Sequence, residues 1–237
     1  MAVTDGDILI LPDIHGRAFW EEAVTETEKY DKVVFLGDYL DPYDHEGIMS
    51  DDALDNFHNI LAFAHANEDK VVLLLGNHDM HYVSLEYAYL AQSSRYDKDR
   101  AYAYHQLFEE HRQLFTLAWE TLWKGRRVLF THAGVSDGWY QANKKVIGEM
   151  NSNNLNHLLD TTEGIQALGQ IGYERGGRHR WGSMVWADVY ELAFSKSFPD
   201  VYQVFGHSQQ RSTPLKGNNW VCLDCRRAFR LSELNIS

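Results

Sequence analysis

Five clusters of Asp, His and Asn hold the residues with the clearest chemical potential: Asp13-Ile14-His15-Gly16, Gly37-Asp38-Tyr39-Leu40-Asp41, Gly76-Asn77-His78-Asp79, Thr131-His132-Ala133-Gly134 and Gly206-His207. Carboxylate, amide oxygen and neutral imidazole are donors that Mn, Fe and Zn ions all accept. Asp13 and His15, one residue apart, can face one ion, and Asp38, beside the side-chain-free Gly37, can come close enough to bridge two. Asn77 offers an amide oxygen to the second ion, with His132 and His207 completing its shell. Two ions ~3.5–4 Å apart suit phosphate ester hydrolysis, because they lower the pKa of bound water from 15.7 towards ~7 and align the attacking and leaving oxygens. Uncatalysed, that reaction is so slow that enzymes accelerate it by up to ~10²¹-fold. Two divalent ions against Asp13 and Asp38 leave an excess of about two positive charges by formal count, matched to a phosphate dianion.

Each cluster follows a short apolar run, at residues 8–11, 33–36, 71–75, 128–130 and 201–205. Near-continuous apolar runs of this length read as strands buried on both faces. Residues 19–30 have the length and acids of a helix, and residues 53–66 place Leu54, Phe57, Leu61 and Ala64 on one helical face. Alternating strands and helices predict an α/β sheet with ligands beyond the carboxyl ends of its strands, where every cluster sits. Residues 80–124 are helix-prone and carry six tyrosines. They predict a helical insert that packs on the sheet and borders the site, within one domain spanning 1–237. Residues 151–181, rich in glycine towards the end, predict a loop-rich border to the site. The tail predicts a hairpin of strands 220–223 and 228–231 around Asp224-Cys225-Arg226-Arg227.

The five ordered clusters resemble the calcineurin-like metallophosphoesterase superfamily over residues 8–207, with Leu223-Asp224 as a candidate extension, and within it the phosphoprotein-phosphatase and diadenosine-tetraphosphatase branch. The resemblance implies a four-layer α/β/β/α sandwich of two mixed β-sheets flanked by helices. It implies Asp13 and His15 on a first metal, Asp38 as the bridge, and Asn77, His132 and His207 on a second. It also implies that His78, oriented by Asp41, gives a proton to the leaving oxygen; a carboxylate partner is expected to raise its pKa above ~6.5. The sequence departs from the family at Pro42, where an arginine is usual, and after Trp186-Ala187-Asp188, where no arginine follows before Arg211. Arg95, Arg175, Arg178 and Arg180 are the candidates to bind phosphate in their stead. Gln209 stands where many members have a further histidine, one that the phosphoprotein-phosphatase-like branch also lacks.

The expected enzyme hydrolyses phosphate monoesters, with two metal ions, Mn2+ first and Fe or Zn as alternatives. Dinucleoside polyphosphates or cyclic and diester phosphates are the rival substrates, and a catalytically silent metal-binding scaffold is the rival of another class. A net charge of −12 argues against nucleic acid and leaves a phosphorylated small molecule or phosphoprotein as partner. Acids near the N-terminus where a signal peptide needs bases, and no apolar stretch near ~20 residues, predict a cytoplasmic protein without a membrane span. His45, His58, His65, His105, His111, His157 and His179 stand outside the clusters and read as surface or structural. Cys222 and Cys225 have no second Cys pair to complete a structural zinc site and read as packing residues.

Overall fold

Strict alternation in the central strands sorts their side chains into two cores. Ile8, Ile10, Val34, Leu36 and Leu74 meet Val128, Phe130, Val204 and Val221 in one cluster. The intervening Leu9, Leu11, Val33, Phe35 and Leu73 belong to another, with Phe57, Ile60 and Leu61. Both faces of these strands are therefore covered, which is why they read as unbroken apolar runs. The computed structural model describes residues 2–4 and 6–236; Met1, Asp5 and Ser237, included in the expected 1–237 domain, lie outside the described residues.

The strands are β1 (Ala2–Thr4), β2 (Asp7–Leu11), β3 (Tyr30–Phe35), β4 (Val71–Leu74), β5 (Phe115–Thr116), β6 (Ala118–Trp123), β7 (Arg126–Thr131), β8 (Tyr202–Phe205), β9 (Leu215–Gly217), β10 (Trp220–Cys222) and β11 (Phe229–Arg230). They form a six-stranded sheet in the order β1-β6-β7-β8-β10-β9 and a five-stranded sheet in the order β11-β2-β3-β4-β5. Both are mixed: β2, β3 and β4 run parallel while β11 runs antiparallel to β2, and β6 and β7 pair antiparallel while β7 and β8 are parallel. The helices are α1 (Phe19–Ala23), α2 (Ser50–Ala66), α3 (Asn77–Val83), α4 (Leu85–Leu90), α5 (Ala101–Glu110), α6 (Asp137–Ile147), α7 (Ser152–Asn156), α8 (Thr162–Leu168) and α9 (Val189–Phe194). The result is the sandwich of two mixed sheets flanked by helices that the resemblance implied. No helix among the described residues is long and apolar enough to cross a membrane.

Four segments differ from expectation. Residues 19–30 do not form one helix: α1 ends at Ala23, and the β-branched Val24, Thr25 and Thr27 follow, with the Thr25 hydroxyl bonding the Glu22 carbonyl at 2.8 Å in competition with the helix. The 80–124 segment is helical only to Glu110, after which β5 and β6 extend the two sheets. Within 151–181, Ser152 to Leu168 is largely helical, because Asn151 and Thr161 cap α7 and α8 through their side chains. The tail is no hairpin. Its strand β10 joins β8 and β9 in one sheet, whereas β11 pairs with β2 in the other. The bend at 224–228 thus crosses between sheets, and it carries Asp224 inward.

Phe57 of α2 is fully buried and stacks on Tyr39 with ring centroids 5.0 Å apart. Phe57→Ala is expected to destabilise the fold by about 3–5 kcal/mol, measured by urea unfolding against the parent protein.

Candidate metal centre

The loops after β2, β3, β4, β7 and β8 converge because their backbones bind one another. The His15 N–H donates to the Asp38 carbonyl at 2.6 Å, Gly16 to Tyr39 at 3.0 Å, and Gly206 to His132 at 2.7 Å. His15, Asp38, Asp41 and His207 all adopt left-handed backbone with φ of 46°, 56°, 57° and 63°. Non-glycine residues rarely sit there, and they persist only where the surroundings enforce it, as at functional sites. Two glycines give the side chains room. A Cβ on Gly76 would overlap Asp38 Oδ1 and crowd His132, and one on Gly206 would overlap Asp13 Oδ1.

Ligand atoms of Asp13, Asp38, His132 and His207 lie within 4.8 Å of one another, and so do those of His15, Asp38 and His78. All six are buried. The imidazoles are set to present lone pairs. His132 Nδ1 pairs with the Leu36 carbonyl at 2.7 Å and His15 Nδ1 with that of Leu40 at 3.0 Å, so each ring donates there and turns a bare Nε2 inward. His132 Nε2 then stands 3.0 Å from Asn77 Oδ1, 3.1 Å from His207 Nδ1 and 3.5 Å from Asp38 Oδ2. With Nε2 bare, its approaches to Asn77 Oδ1 and Asp38 Oδ2 set lone pair against lone pair, which a cation among them relieves, while His207 Nδ1 can donate to it. The oxygen and nitrogen donor set fits divalent metal ions.

Charge reinforces the fit. Burial acts to raise the Asp38 pKa, but the imidazoles of His132, His78 and His15 hold it well below the ordinary carboxyl range. Burial, Arg175 and His132 hold His207 well below the usual imidazole range, which keeps it a neutral donor.

Beside the cluster, His78 Nδ1 meets Asp41 Oδ2 at 2.8 Å. The expectation that Asp41 would raise the His78 pKa fails: burial lowers it to about 4, outweighing the pull of Asp38 and Asp41. Burial acts to raise Asp41, yet the hydrogen bonds from His78 and His81 bring it down to about 2.

The four arginines separate. Arg95 Nη2 lies 3.0 Å from His78 Nε2, its other amine binds the Asp41 carbonyl, and its guanidinium stacks 3.6 Å above the Tyr43 ring. Arg175 lines the same cavity of about 370 Å³, bonding Ser208 Oγ at 2.6 Å with Asp188 2.9 Å from its Nε. Arg178 and Arg180 are exposed and do not line it; Arg180 lies over Trp181.

Several residues here escaped the sequence reading. His81 Nε2 reaches Asp41 Oδ2 at 2.9 Å and the Tyr82 hydroxyl donates to Asp41 Oδ1 at 2.6 Å. Their positions three and four beyond His78 put them within a turn of it on α3, which is the signal that was available. Ser93 Oγ lies 3.2 Å from His78 Nε2. Asp224, 2% exposed, enters the sequence reading only as the far end of the resemblance, without a role; burial and the charge of Asp13 push its carboxyl up to about 8.

Comparison with known families agrees with this geometry. Residues 6–211 match the family model described as calcineurin-like phosphoesterase. Comparison with curated proteins gives no match.

Asp224 yields a test in metal-free protein. A carboxyl whose pKa is raised by folding stabilises fully below its unfolded value, near 3.8, and that contribution is lost as pH rises through about 8. Asp224→Asn mimics the protonated acid. Its stability relative to the parent is expected to grow by about 2 kcal/mol or more between pH 4 and 8, measured by urea unfolding in chelator.

Proposed function

From the premise that this chain belongs to the calcineurin-like phosphoesterase family, and is therefore a metal-dependent hydrolase of phosphate esters, we propose that its substrates are phosphate monoesters. Asp13, His15 and Asp38 would hold one ion and Asp38, Asn77, His132 and His207 the other. Such ions supply an acidified water and a Lewis acid for the phosphoryl oxygens. The oxygen-rich, thiolate-free donors suit Mn2+, and accept Fe or Zn.

The observation that carries the monoester reading is the pair of guanidinium groups, Arg95 and Arg175, on the cavity that holds Asp13, Asp38 and His78. A monoester brings two negative charges, where a diester brings one. Both arginines can donate to the non-bridging oxygens, and Arg95 takes the place left by Pro42 although it comes from the insert. His78 would give its Nε2 proton to the leaving oxygen while Asp41 fixes the ring through Nδ1. An arriving dianion counters the burial that keeps His78 neutral, and it offers Arg95 a stronger partner than His78.

A dinucleoside polyphosphate is less well served. The insert's Tyr82, Tyr87 and Tyr104 are buried, Tyr89 and Tyr102 are exposed away from the cavity lining, and Tyr96, on the neighbouring cavity, already stacks on Tyr82 with centroids 5.2 Å apart. The likeness to the phosphoprotein-phosphatase branch is supported by Gln209, which is exposed. We take the protein to be cytoplasmic, since Cys222 and Cys225 are both free thiols.

His78→Asn is expected to retain its metals and lose ~10²–10⁴ in kcat on a small aryl phosphate. Asp38→Asn is expected to lose metal itself, read by elemental analysis of the purified protein. Full turnover in the first variant, or full metal content in the second, would refute the roles. Arg95→Lys keeps the charge but not the two-pronged geometry, and kcat/KM is expected to fall by about ten-fold or more.

A further inference from the structure

A second cavity, of about 440 Å³, lies against the first, and Ser94 and Arg95 line both. Its position bears on the leaving group. A general acid must stand within hydrogen-bond reach of the oxygen it protonates. The alcohol portion of a substrate therefore departs on the side of His78 Nε2, where Ser93 Oγ and Arg95 sit at 3.2 and 3.0 Å. Arg95 lines the second cavity as well, and the wall of that cavity includes Asp41, the residue that holds His78.

We propose that this cavity is the subsite for the leaving alcohol and that it selects alcohols carrying a positive charge; the proposal rests on the monoester reading above. Its lining combines apolar surface from Pro42, Ile48, Met49 and Tyr104 with the carboxylates of Asp44 and Asp97. A volume of this size accommodates a short amino-acid side chain with its backbone, or a small amino alcohol. Asp97 is already matched, by Arg100 at 3.1 Å and by the N–H groups of Asp99 and Arg100. Asp44 is exposed on a 3-10 turn and joins no ion pair among the described residues, so it sets the charge of the opening. The one cationic side chain in the lining, Arg95, is committed to phosphate. An alcohol bearing further phosphate, such as a nucleoside diphosphate, meets an acidic wall in a chain of net charge −12. An ammonium or guanidinium is drawn in.

The test uses full-length, metal-loaded protein and compares kcat/KM on matched phosphoserine peptides that carry Lys or Glu beside the phosphoserine. The Lys peptide is expected to lead by about ten-fold, equivalent to ~1.4 kcal/mol. That lead should shrink in Asp44→Asn and vanish or reverse in Asp44→Lys. Phosphoethanolamine against ethyl phosphate distinguishes the sources: an ammonium advantage there assigns the site to a small amino alcohol, and an advantage confined to peptides assigns it to a polypeptide. Equal rates on both peptides, or a Lys preference that survives in Asp44→Lys, would overturn the subsite. Hydrolysis of p-nitrophenyl phosphate by the parent protein tells this failure apart from a failure of the monoester reading. If that ester is untouched, both fall together.

Discussion

The Asp79 carboxylate accepts the backbone N–H groups of Asp38 at 2.7 Å, Tyr39 at 3.0 Å and Gly76 at 2.8 Å. Asp38 answers by accepting the His78 N–H at 2.9 Å through Oδ1. This reciprocal clasp ties the loop after β3 to the loop after β4, and it holds Asp38 in left-handed backbone with its carboxylate aimed into the cluster. Neither loop could be fixed by its own sequence, since each is only a few residues of irregular chain. The clasp carries an electrostatic cost. Burial and the nearby Asp38 charge push the Asp79 carboxyl up, and its three backbone donors oppose that push. Tight backbone approach is part of the same device, because Gly37 and Gly76 meet where any side chain would collide.

Around the clasp, the protein gathers groups that only make sense together. Ligand atoms of Asp13, Asp38, His132 and His207 converge within 4.8 Å of one another, Asp224 Oδ1 and His207 Nε2 are buried without a hydrogen-bond partner among the described residues, and Asp224 is pressed towards its neutral form by burial and by Asp13. In a chain with twelve more acids than bases, this concentration of donors is unfavourable by itself and becomes favourable when cations enter. The low pKa of His78 has a related origin: its burial outweighs the nearby carboxylates Asp38 and Asp41, and an arriving phosphate dianion would add negative charge on their side.

What the sequence revealed followed from locality. Strands covered on both faces print as contiguous apolar runs, and the residues just beyond them are the site, so Asp13, His15, Asp38, Asn77, His132 and His207 could be picked out and prove to be neighbours. Helix limits were less legible where short hydroxyl side chains competed for carbonyls, as at Thr25. The tail was misread for a different reason. Residues 220–223 and 228–231 look like partners in sequence, but Trp220–Cys222 pairs with the preceding Leu215–Gly217 and with β8, while Phe229 lies opposite Ile10 in the other sheet. Pairing between Phe229 and Ile10, at opposite ends of the chain, leaves no local trace, so the inward turn of Asp224 could not be read from the sequence around it. His81 and Tyr82 were visible as a helical spacing but not as ligands of Asp41, because that depends on where α3 lies relative to the loop after β3.

Arg95, if it binds phosphate as proposed, would keep a function whose sequence position has moved. Pro42 cannot bind phosphate, yet Arg95 lies over Tyr43, immediately beside it. That arginine stands on an irregular stretch between α4 and α5, which must itself be fixed before a guanidinium on it can discriminate. Its anchors all lead back to α3: Ser93 N–H to His81 Nδ1 at 3.4 Å, Arg95 N–H to Ser93 Oγ at 3.2 Å, and Asp97 N–H to the Tyr82 hydroxyl at 2.9 Å. Tyr82 and His81 in turn bind Asp41, the same carboxylate that orients His78. The proposed acid and the proposed phosphate ligand therefore rest on one support, so a shift of α3 would displace both at once. A phosphate arginine on a strand-end loop would depend on the sheet alone; here it depends on the helix that carries the acid, and the insert is bound to the chemistry through Asp41.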